Sequence, residues 1–205
     1  MTSHGGPVGP GLTDPGPVAA AEDVTIRELG TQDLDPVTLR AIRSLMDVAF
    51  GDDEEERFTE DDWQHAIGGR HFVLEGDGRL LGHASVVERS LHVDGQPLRT
   101  GYVEAVAIEP SAQGRGLGSR LMEAVDAHIA ASFELGALGT GRHRFYERLG
   151  WRTWRGRAFV RTPEGDSRTP DEEGYILVLE TPTTPDRPLD LSARLSCDWR
   201  PGDVW

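Results

Sequence analysis

The feature that most constrains this chain is a glycine-rich turn between an apolar segment and a long amphipathic one. The apolar segment covers residues 102–109, the turn covers 113–118, and an apolar residue then recurs every four positions from 117 to 129. This pattern predicts a strand, a turn and a helix packed on a sheet. Because unpaired N–H groups and a positive dipole end lie at a helix N-terminus, glycines there let a phosphate come close. The turn is therefore predicted to bind phosphate.

Several kinds of turn could fit this position. A Walker-type loop needs a lysine, and all 21 basic residues of the chain are arginine, which excludes it. The dinucleotide fingerprint needs Gly-x-Gly-x-x-Gly, whereas Gly114, Gly116 and Gly118 are spaced two apart and residue 119 is serine. The pattern that remains is Gln-x-x-Gly-x-Gly directly after a Val-Ala-Ile strand, with an ordinary strand-to-helix turn as the alternative.

This pattern resembles the acetyl-CoA pyrophosphate loop of the GCN5-related N-acetyltransferases, the GNAT family. The resemblance implies an α/β (α+β) GNAT fold with a mixed central sheet flanked by helices, and acetyl-CoA as co-substrate. Arg115 and Arg120 could add contacts to the phosphates. The residues implied to bind acetyl-CoA are Val106, Ala107, Ile108, Gln113, Gly114, Arg115, Gly116, Leu117 and Gly118.

Length and composition limit the organisation of the chain. Residues 1–22 are rich in proline and glycine and contain no arginine, which predicts a disordered leader before one domain at 23–205. We expect no membrane span, because no stretch approaches the length of about 18 apolar residues that it requires. The single Cys197 cannot form an intrachain disulfide, so a reducing cytoplasm is expected. The histidines show no metal-type pairing and are predicted to be surface or sheet residues, with no metal site.

The charge balance points to the class of partner. A formal net charge of −14 disfavours nucleic acid and anionic membranes, and it favours cationic partners. A polycation is therefore the expected substrate class, with charge for solubility alone as the alternative.

Periodicity outside the glycine turn predicts the remaining elements. The sequence predicts a strand at 24–29, helices at 36–49 and near 59–63, strands at 71–74, 80–87 and 100–109, the glycine turn with its helix, a strand at 133–138, a helix at 142–149, and strands at 151–154, 157–161 and 175–179. This is the order of elements in the acetyltransferases, so it supports the motif.

Acetyl transfer from a thioester to an amine needs a neutral amine, a stabilised oxyanion and a proton for the thiolate. By resemblance to the family, a strand N–H near Val106 should face the thioester oxygen. Glu104 could accept the amine proton or simply bind the substrate, and both roles remain open. Tyr146, from the pattern Tyr-x-x-x-Gly-Trp, could protonate the thiolate, or it could be a buried aromatic residue.

Residues 24–205 are similar to the aminoglycoside 2'-N-acetyltransferases. The similarity rests on short motifs at 58–63, 101–104, 135–138 and 168–171, and above all on the ending Cys-Asp-Trp-Arg-x-Gly-Asp-x-Trp at 197–205. In that family the carboxylate of the terminal residue itself binds a drug amine. The acceptor site so implied consists of Asp52, Asp53, Asp62, Glu104, Ala105, Thr140, Glu172, Asp203 and Trp205.

The resemblance leaves three matters open. The acidic loop at 51–57 is longer than the family suggests, Gly139-Thr140-Gly141 is poorer in serine, and Glu172 stands where Asp is expected. The expected partner is a small polycationic aminoglycoside, and a homodimer is the hypothesised assembly. Other functions that fit the chain are acetylation of a different cellular amine or amino sugar, and acetyl-CoA binding without catalysis.

Overall fold

A computed structural model describes residues 24–51, 58–185 and 187–205. The predicted leader at 1–22 and most of the acidic loop therefore lie outside the described residues. The elements are β1 (Val24–Gly30), α1 (Pro36–Phe50), α2 (Glu60–Ala66), β2 (Arg70–Gly76), β3 (Arg79–Val93), β4 (Gln96–Ile108), α3 (Leu117–Ser132), β5 (Leu135–Gly139), α4 (His143–Glu147), β6 (Arg152–Thr153), β7 (Ala158–Thr162), β8 (Gly165–Arg168), β9 (Ile176–Glu180) and β10 (Leu195–Asp198).

All of these strands join one mixed sheet. Its order is β6-β9-β5-β4-β3-β10-β7-β8, and β2 also pairs with β3 and carries β1 at its other edge. The β4–β5 and β10–β7 pairs are parallel and the other pairs are antiparallel. The expected mixed sheet flanked by helices is confirmed.

Side-chain caps mark the starts of α1 and α2. Asp35 Oδ1 accepts hydrogen bonds from the N–H groups of Val37 and Thr38, at 2.8 and 3.0 Å, and Pro36 occupies the first position of α1. At α2, Thr59 and Asp62 form a reciprocal capping box. Such caps satisfy N–H groups that a helix N-terminus otherwise leaves unpaired.

Two apolar layers hold the centre of the sheet between helices. On one face, α3 buries the residues that the four-residue spacing had marked, with Leu121, Val125 and Ile129 fully covered. On the other face, α1 and α2 bury Ile42 and Trp63 with Ala107 of β4. Because β4 is packed from both faces, its backbone is a fixed platform for a site.

The structure corrects several predicted boundaries. Phe133 terminates α3 instead of starting a strand, so β5 begins at Leu135. The strand β10 was not predicted: only its pairing with β3 and β7, both distant in sequence, makes this four-residue segment a strand. The helix predicted at 142–149 is shorter, at His143–Glu147.

In the described ranges, no helix is both long and apolar enough to cross a membrane.

Candidate functional site

The site begins where β4 and β5 separate. The two strands pair only from Thr100 to Tyr102 on β4, opposite Leu135 to Ala137 on β5. Beyond Tyr102, the described strands flank β4 on its β3 side only. An open strand edge of this kind can hydrogen-bond an extended ligand as a further strand would. The separation therefore makes a slot beside residues 103–108.

A β-bulge interrupts β4 within this slot. Ser85 of β3 lies opposite Glu104 and His83 lies opposite Ala107, so two residues of β4, Ala105 and Val106, face one residue of β3. Ala105 has a φ of 50°. A non-glycine residue in this left-handed region costs roughly 1–2 kcal/mol, so its surroundings must hold it. Bulges of this kind change the direction of backbone N–H groups.

The predicted phosphate turn lies at the end of the slot and leads into α3. Gly114 and Gly116 have φ values of 75° and 79°, and a Cβ on either would meet no atom within 4 Å. Both positions therefore need glycine for conformation and leave open space. Gly116 directly precedes α3, whose 16 residues supply a full helix N-terminus.

Other residues of the turn have structural partners. Gln113 Nε2 donates to the carbonyl of Ile108 at 3.1 Å and so joins the turn to β4. Gly118 makes room for α4, because its Cβ would lie 3.3 Å from Phe145 Cζ. Arg115 is exposed. Arg120, the other candidate phosphate ligand, instead donates to the carbonyl of Val24 at 2.7 Å.

Glu104 lies next to the bulge and forms an ion pair that the sequence did not predict. Arg200 Nη1 donates to Glu104 Oε1 at 2.6 Å, and the two side chains are only 14% and 16% exposed. Burial raises the pKa of Glu104 above its usual range, and the Arg200 guanidinium opposes that rise. A carboxylate with a raised pKa is a stronger base than an exposed one.

The chain terminus is folded against the sheet. Trp205 is 4% exposed, and its indole Nε1 donates to Thr169 Oγ1 at 2.9 Å. Its backbone N–H donates to Asp203 Oδ1 at 3.1 Å. A Cβ on Gly139 would lie 3.7 Å from the carboxyl carbon of Trp205 and 3.6 Å from the Tyr102 hydroxyl. The terminal carboxylate is thus fixed at the end of β5.

Arg200 brings this terminus to Glu104. Besides its bond to Glu104, its Nε donates to the Asp203 carbonyl at 2.8 Å, and its Nη2 donates to the Trp205 carbonyl oxygen at 3.4 Å. One guanidinium therefore binds the carboxylate on β4, the Asp203 carbonyl and an oxygen of the Trp205 carboxylate. Arg200 belongs to the ending at 197–205, but an arginine in that segment does not by itself predict a site residue.

The other predicted acceptor residues differ in their surroundings, and of those described Glu172 is the one that interacts with the tail, through Asp203. Glu172 is half-buried, and burial raises its pKa, with smaller contributions from Asp203 and Asp171. The Thr140 hydroxyl accepts from the Arg142 N–H at 3.0 Å. Asp62 Oδ2 accepts from both the N–H and hydroxyl of Thr59 as a helix cap. Asp52 and Asp53 lie outside the described residues.

Three more residues near the tail were missed by the sequence analysis. His65 Nε2 lies 2.7 Å from the Pro201 carbonyl and so connects α2 with the tail. Arg89 donates to the Val204 carbonyl at 2.8 Å, and its guanidinium lies 4.7 Å from the centre of the Tyr102 ring. Arg89 Nη1 and Tyr102 Oη are buried without a hydrogen-bond partner in the described chain. Such atoms mark places where a ligand or water can bind.

Tyr146 lies in α4 and is buried. Its ring meets Phe145 and Trp151 edge-on, with centroids 4.9 and 6.1 Å away. Burial raises the pKa of its hydroxyl to about 12, so the phenol is protonated at neutral pH.

Among the described residues, no group of three His, Cys, Asp or Glu side chains is arranged to hold a metal ion.

Comparisons with known proteins agree with this geometry. Residues 27–154 match the family model of the acetyltransferase (GNAT) domain. The aminoglycoside 2'-N-acetyltransferase of Mycolicibacterium fortuitum is 39% identical over 184 residues, which cover 88% of this chain and 92% of that protein.

Solved structures share the fold at lower identity. The Escherichia coli GNAT family N-acetyltransferase YhbS, in complex with CoA, has a TM-score of 0.60 and 18% identity, covering 91% of this chain and 93% of its own. A GNAT family acetyltransferase of Brucella melitensis, in complex with acetyl-CoA, has a TM-score of 0.52 and 20% identity. The match covers 78% of this chain and 89% of that chain.

Proposed function

This chain belongs to the GNAT acetyltransferase family and, within it, to the aminoglycoside 2'-N-acetyltransferases, and we propose that it transfers the acetyl group of acetyl-CoA to the 2'-amine of an aminoglycoside. The observation that carries the proposal is the position of Arg200. Its guanidinium lies beside the slot, bound by Glu104 and by the carbonyl groups of Asp203 and Trp205. Binding of this guanidinium supports the proposal that the same carboxylate and tail can bind an acceptor ammonium.

The donor half supports acetyl-CoA binding. The edge of β4 at Val106, Ala107 and Ile108 offers backbone groups to the pantetheine arm. The open turn at Gly114 and Gly116 offers N–H groups to the pyrophosphate at the start of α3. The thioester would then lie near the bulge.

The reaction joins the two halves. The neutral 2'-amine attacks the thioester carbonyl carbon, and the N–H of Val106 donates to the oxyanion that forms. One such donor contributes roughly 3–4 kcal/mol to the transition state. The C–N bond forms, the C–S bond breaks, and the proton of the amine passes to Glu104 directly or through water. Tyr146 is the proposed proton source for the departing thiolate: its phenol carries a proton at neutral pH, although its raised pKa makes it a weaker acid than an exposed tyrosine.

The acceptor half suits a molecule with several ammonium and hydroxyl groups. Asp203, Glu172 and the terminal carboxylate of Trp205 supply charge and acceptors around the tail. We include Asp52, Asp53, Asp62, Ala105 and Thr140 in the proposed acceptor site on the strength of the resemblance alone. An acceptor ammonium at Glu104 would exchange with Arg200 or share the carboxylate with it.

Thiol release from acetyl-CoA tests this function. Gentamicin and tobramycin carry a 2'-amine, whereas kanamycin A and amikacin carry a 2'-hydroxyl. We expect release of free thiol with the first pair only. Equal turnover of both pairs would show a different acceptor position, and no turnover with any of them would remove aminoglycosides as substrates.

Domain organisation, location and assembly complete the proposal. We propose that residues 23–205 act as one domain and that the protein works in the cytoplasm as a homodimer. The single Cys197 supports a reducing compartment. Light scattering of the purified chain should give twice the chain mass, and a single chain mass would exclude the dimer.

A further inference from the structure

A line of hydrogen bonds through two buried histidines runs beneath the bulge, outside the residues assigned to the reaction. His83 Nδ1 lies 2.9 Å from the carbonyl oxygen of Ala105, and His83 Nε2 lies 2.9 Å from His71 Nδ1. His71 Nε2 lies 2.8 Å from Thr31 Oγ1, which accepts from the Gly68 N–H at 2.8 Å. Both histidines have no exposed surface.

The carbonyl end of this line and the neutral state of both rings fix the direction of its bonds, because the Thr31 hydroxyl, which also lies 3.4 Å from the Gly69 carbonyl, can either donate or accept. A carbonyl oxygen only accepts, so His83 carries its proton on Nδ1. In the neutral ring Nε2 is then an acceptor, which requires His71 to donate from Nδ1. The remaining nitrogen of His71 accepts from the Thr31 hydroxyl. All the hydrogen bonds therefore point towards Ala105.

The protonation states required by this arrangement agree with the surroundings. Burial lowers the pKa of His71 to about 4, and burial together with the neighbouring His71 lowers that of His83 to about 3. Both rings are neutral at pH 7. Bonds aligned in one direction polarise one another, which strengthens the final bond to the carbonyl.

The carbonyl of Ala105 shares a planar peptide unit with the N–H of Val106. In the described chain the only cis peptide is Arg187–Pro188, so the unit is trans and its C=O and N–H point in opposite directions. Fixing the Ala105 oxygen towards His83 directs the Val106 N–H away from β3. The opposite side of β4 is the one that β5 leaves open.

We infer that His83, held by His71 and Thr31, is a positioning residue that aims the Val106 N–H at the thioester oxygen. Ser85 supports the preceding peptide unit, because its hydroxyl donates to the Glu104 carbonyl at 3.3 Å. Two buried side chains of β3 thus hold both peptide units around the left-handed Ala105. This inference rests on the proposed acetyl transfer and adds residues that neither donor nor acceptor touches.

Substitution of His83 tests the inference. His83→Leu removes the donor, whereas His83→Asn keeps an N–H near the Nδ1 position. Because small displacements of a catalytic donor have large effects, we expect His83→Leu to lower kcat by about 10- to 100-fold. CoA affinity, measured by calorimetry, should stay unchanged, and His83→Asn should recover much of kcat. His128→Asn, at a histidine bonded to Glu28 on the other face of the sheet, is the matched control and should keep full activity.

The possible results separate this inference from the proposed function. An inactive wild-type protein with every aminoglycoside would remove the proposed function. An active wild type with an equally active His83→Leu variant would overturn the inference alone. A parallel loss of kcat and CoA affinity, or no recovery in His83→Asn, would assign His83 a general structural role and also overturn it.

Discussion

The donor and acceptor halves of the proposed site are built in different ways. The donor half is almost entirely backbone: the edge of β4, the bulge and the open glycine turn lie within residues 103–118. The acceptor half is made of side chains and the chain terminus, gathered from segments that are distant in sequence. Glu104 and Arg200, for example, are 96 residues apart. A backbone site recognises what every acetyl-CoA shares, while a side-chain site can be changed for each acceptor.

Glu104→Gln should give the largest difference between the effect on acceptor turnover and the effect on CoA binding. The amide keeps the shape but loses the base, so kcat/KM for the acceptor should fall by at least about 100-fold, as for the loss of a general base. CoA affinity should be unchanged in calorimetry. If KM rises while kcat is kept, Glu104 binds substrate and does not act as a base. Loss of CoA binding would contradict the division of the site into separate donor and acceptor halves.

Gly116→Glu should affect the donor half alone. The side chain must adopt a left-handed φ of 79°, and its charge would oppose the pyrophosphate. We expect CoA affinity to fall by about 10- to 100-fold, which corresponds to roughly 1.4–2.8 kcal/mol. Gly116→Ala, which adds the strain without the charge, is the control and should lose less. Equal affinity in both variants would mean that charge at the turn is unimportant.

Removal of Val204 and Trp205 should affect the acceptor half alone. The deletion moves the terminal carboxylate from Trp205 to Asp203 and removes the bond from the Trp205 indole to Thr169. Acceptor KM should rise by about tenfold, the effect of losing roughly 1.4 kcal/mol of binding, while CoA affinity is kept. Trp205→Phe keeps the carboxylate and controls for lost packing. Equal loss of donor and acceptor binding would make the tail structural.

Arg200→Gln is expected to have the smallest effect and to show it in the pH profile. Arg200 opposes the rise in the pKa of Glu104, so its removal lets that pKa rise further. Because Glu104 must be ionised to take a proton, the acidic limb of kcat/KM should move to higher pH. Arg200→Lys should move it less. A shift to lower pH would contradict the role of Arg200 as the counter-cation.

The same difference explains how much could be predicted from the sequence. The donor half is local, so glycine spacing and helical periodicity were enough to place the turn and α3 in the structure. The tail was predicted as a site only through its resemblance to a family. Neither β10 nor the ion pair of Arg200 with Glu104 could be predicted, because each depends on segments that meet only after folding.

The buried histidines show most clearly which features cannot be predicted from the sequence. His71 and His83 were expected as surface or sheet residues without a role, and both do lie in strands. Their bonds to Thr31 and Ala105 depend on the register of β2 with β3 and on the bulge in β4. Periodicity predicts which face a residue occupies, but a single-residue bulge is set by tertiary packing.

The position of the acetyl group on the product tests the central proposal most directly. Tobramycin is incubated with acetyl-CoA and the full chain, and the product is analysed by mass spectrometry and NMR. We expect one added acetyl group, on the 2'-nitrogen. An acetyl group on any other amine, or unmodified tobramycin with intact acetyl-CoA, would contradict it.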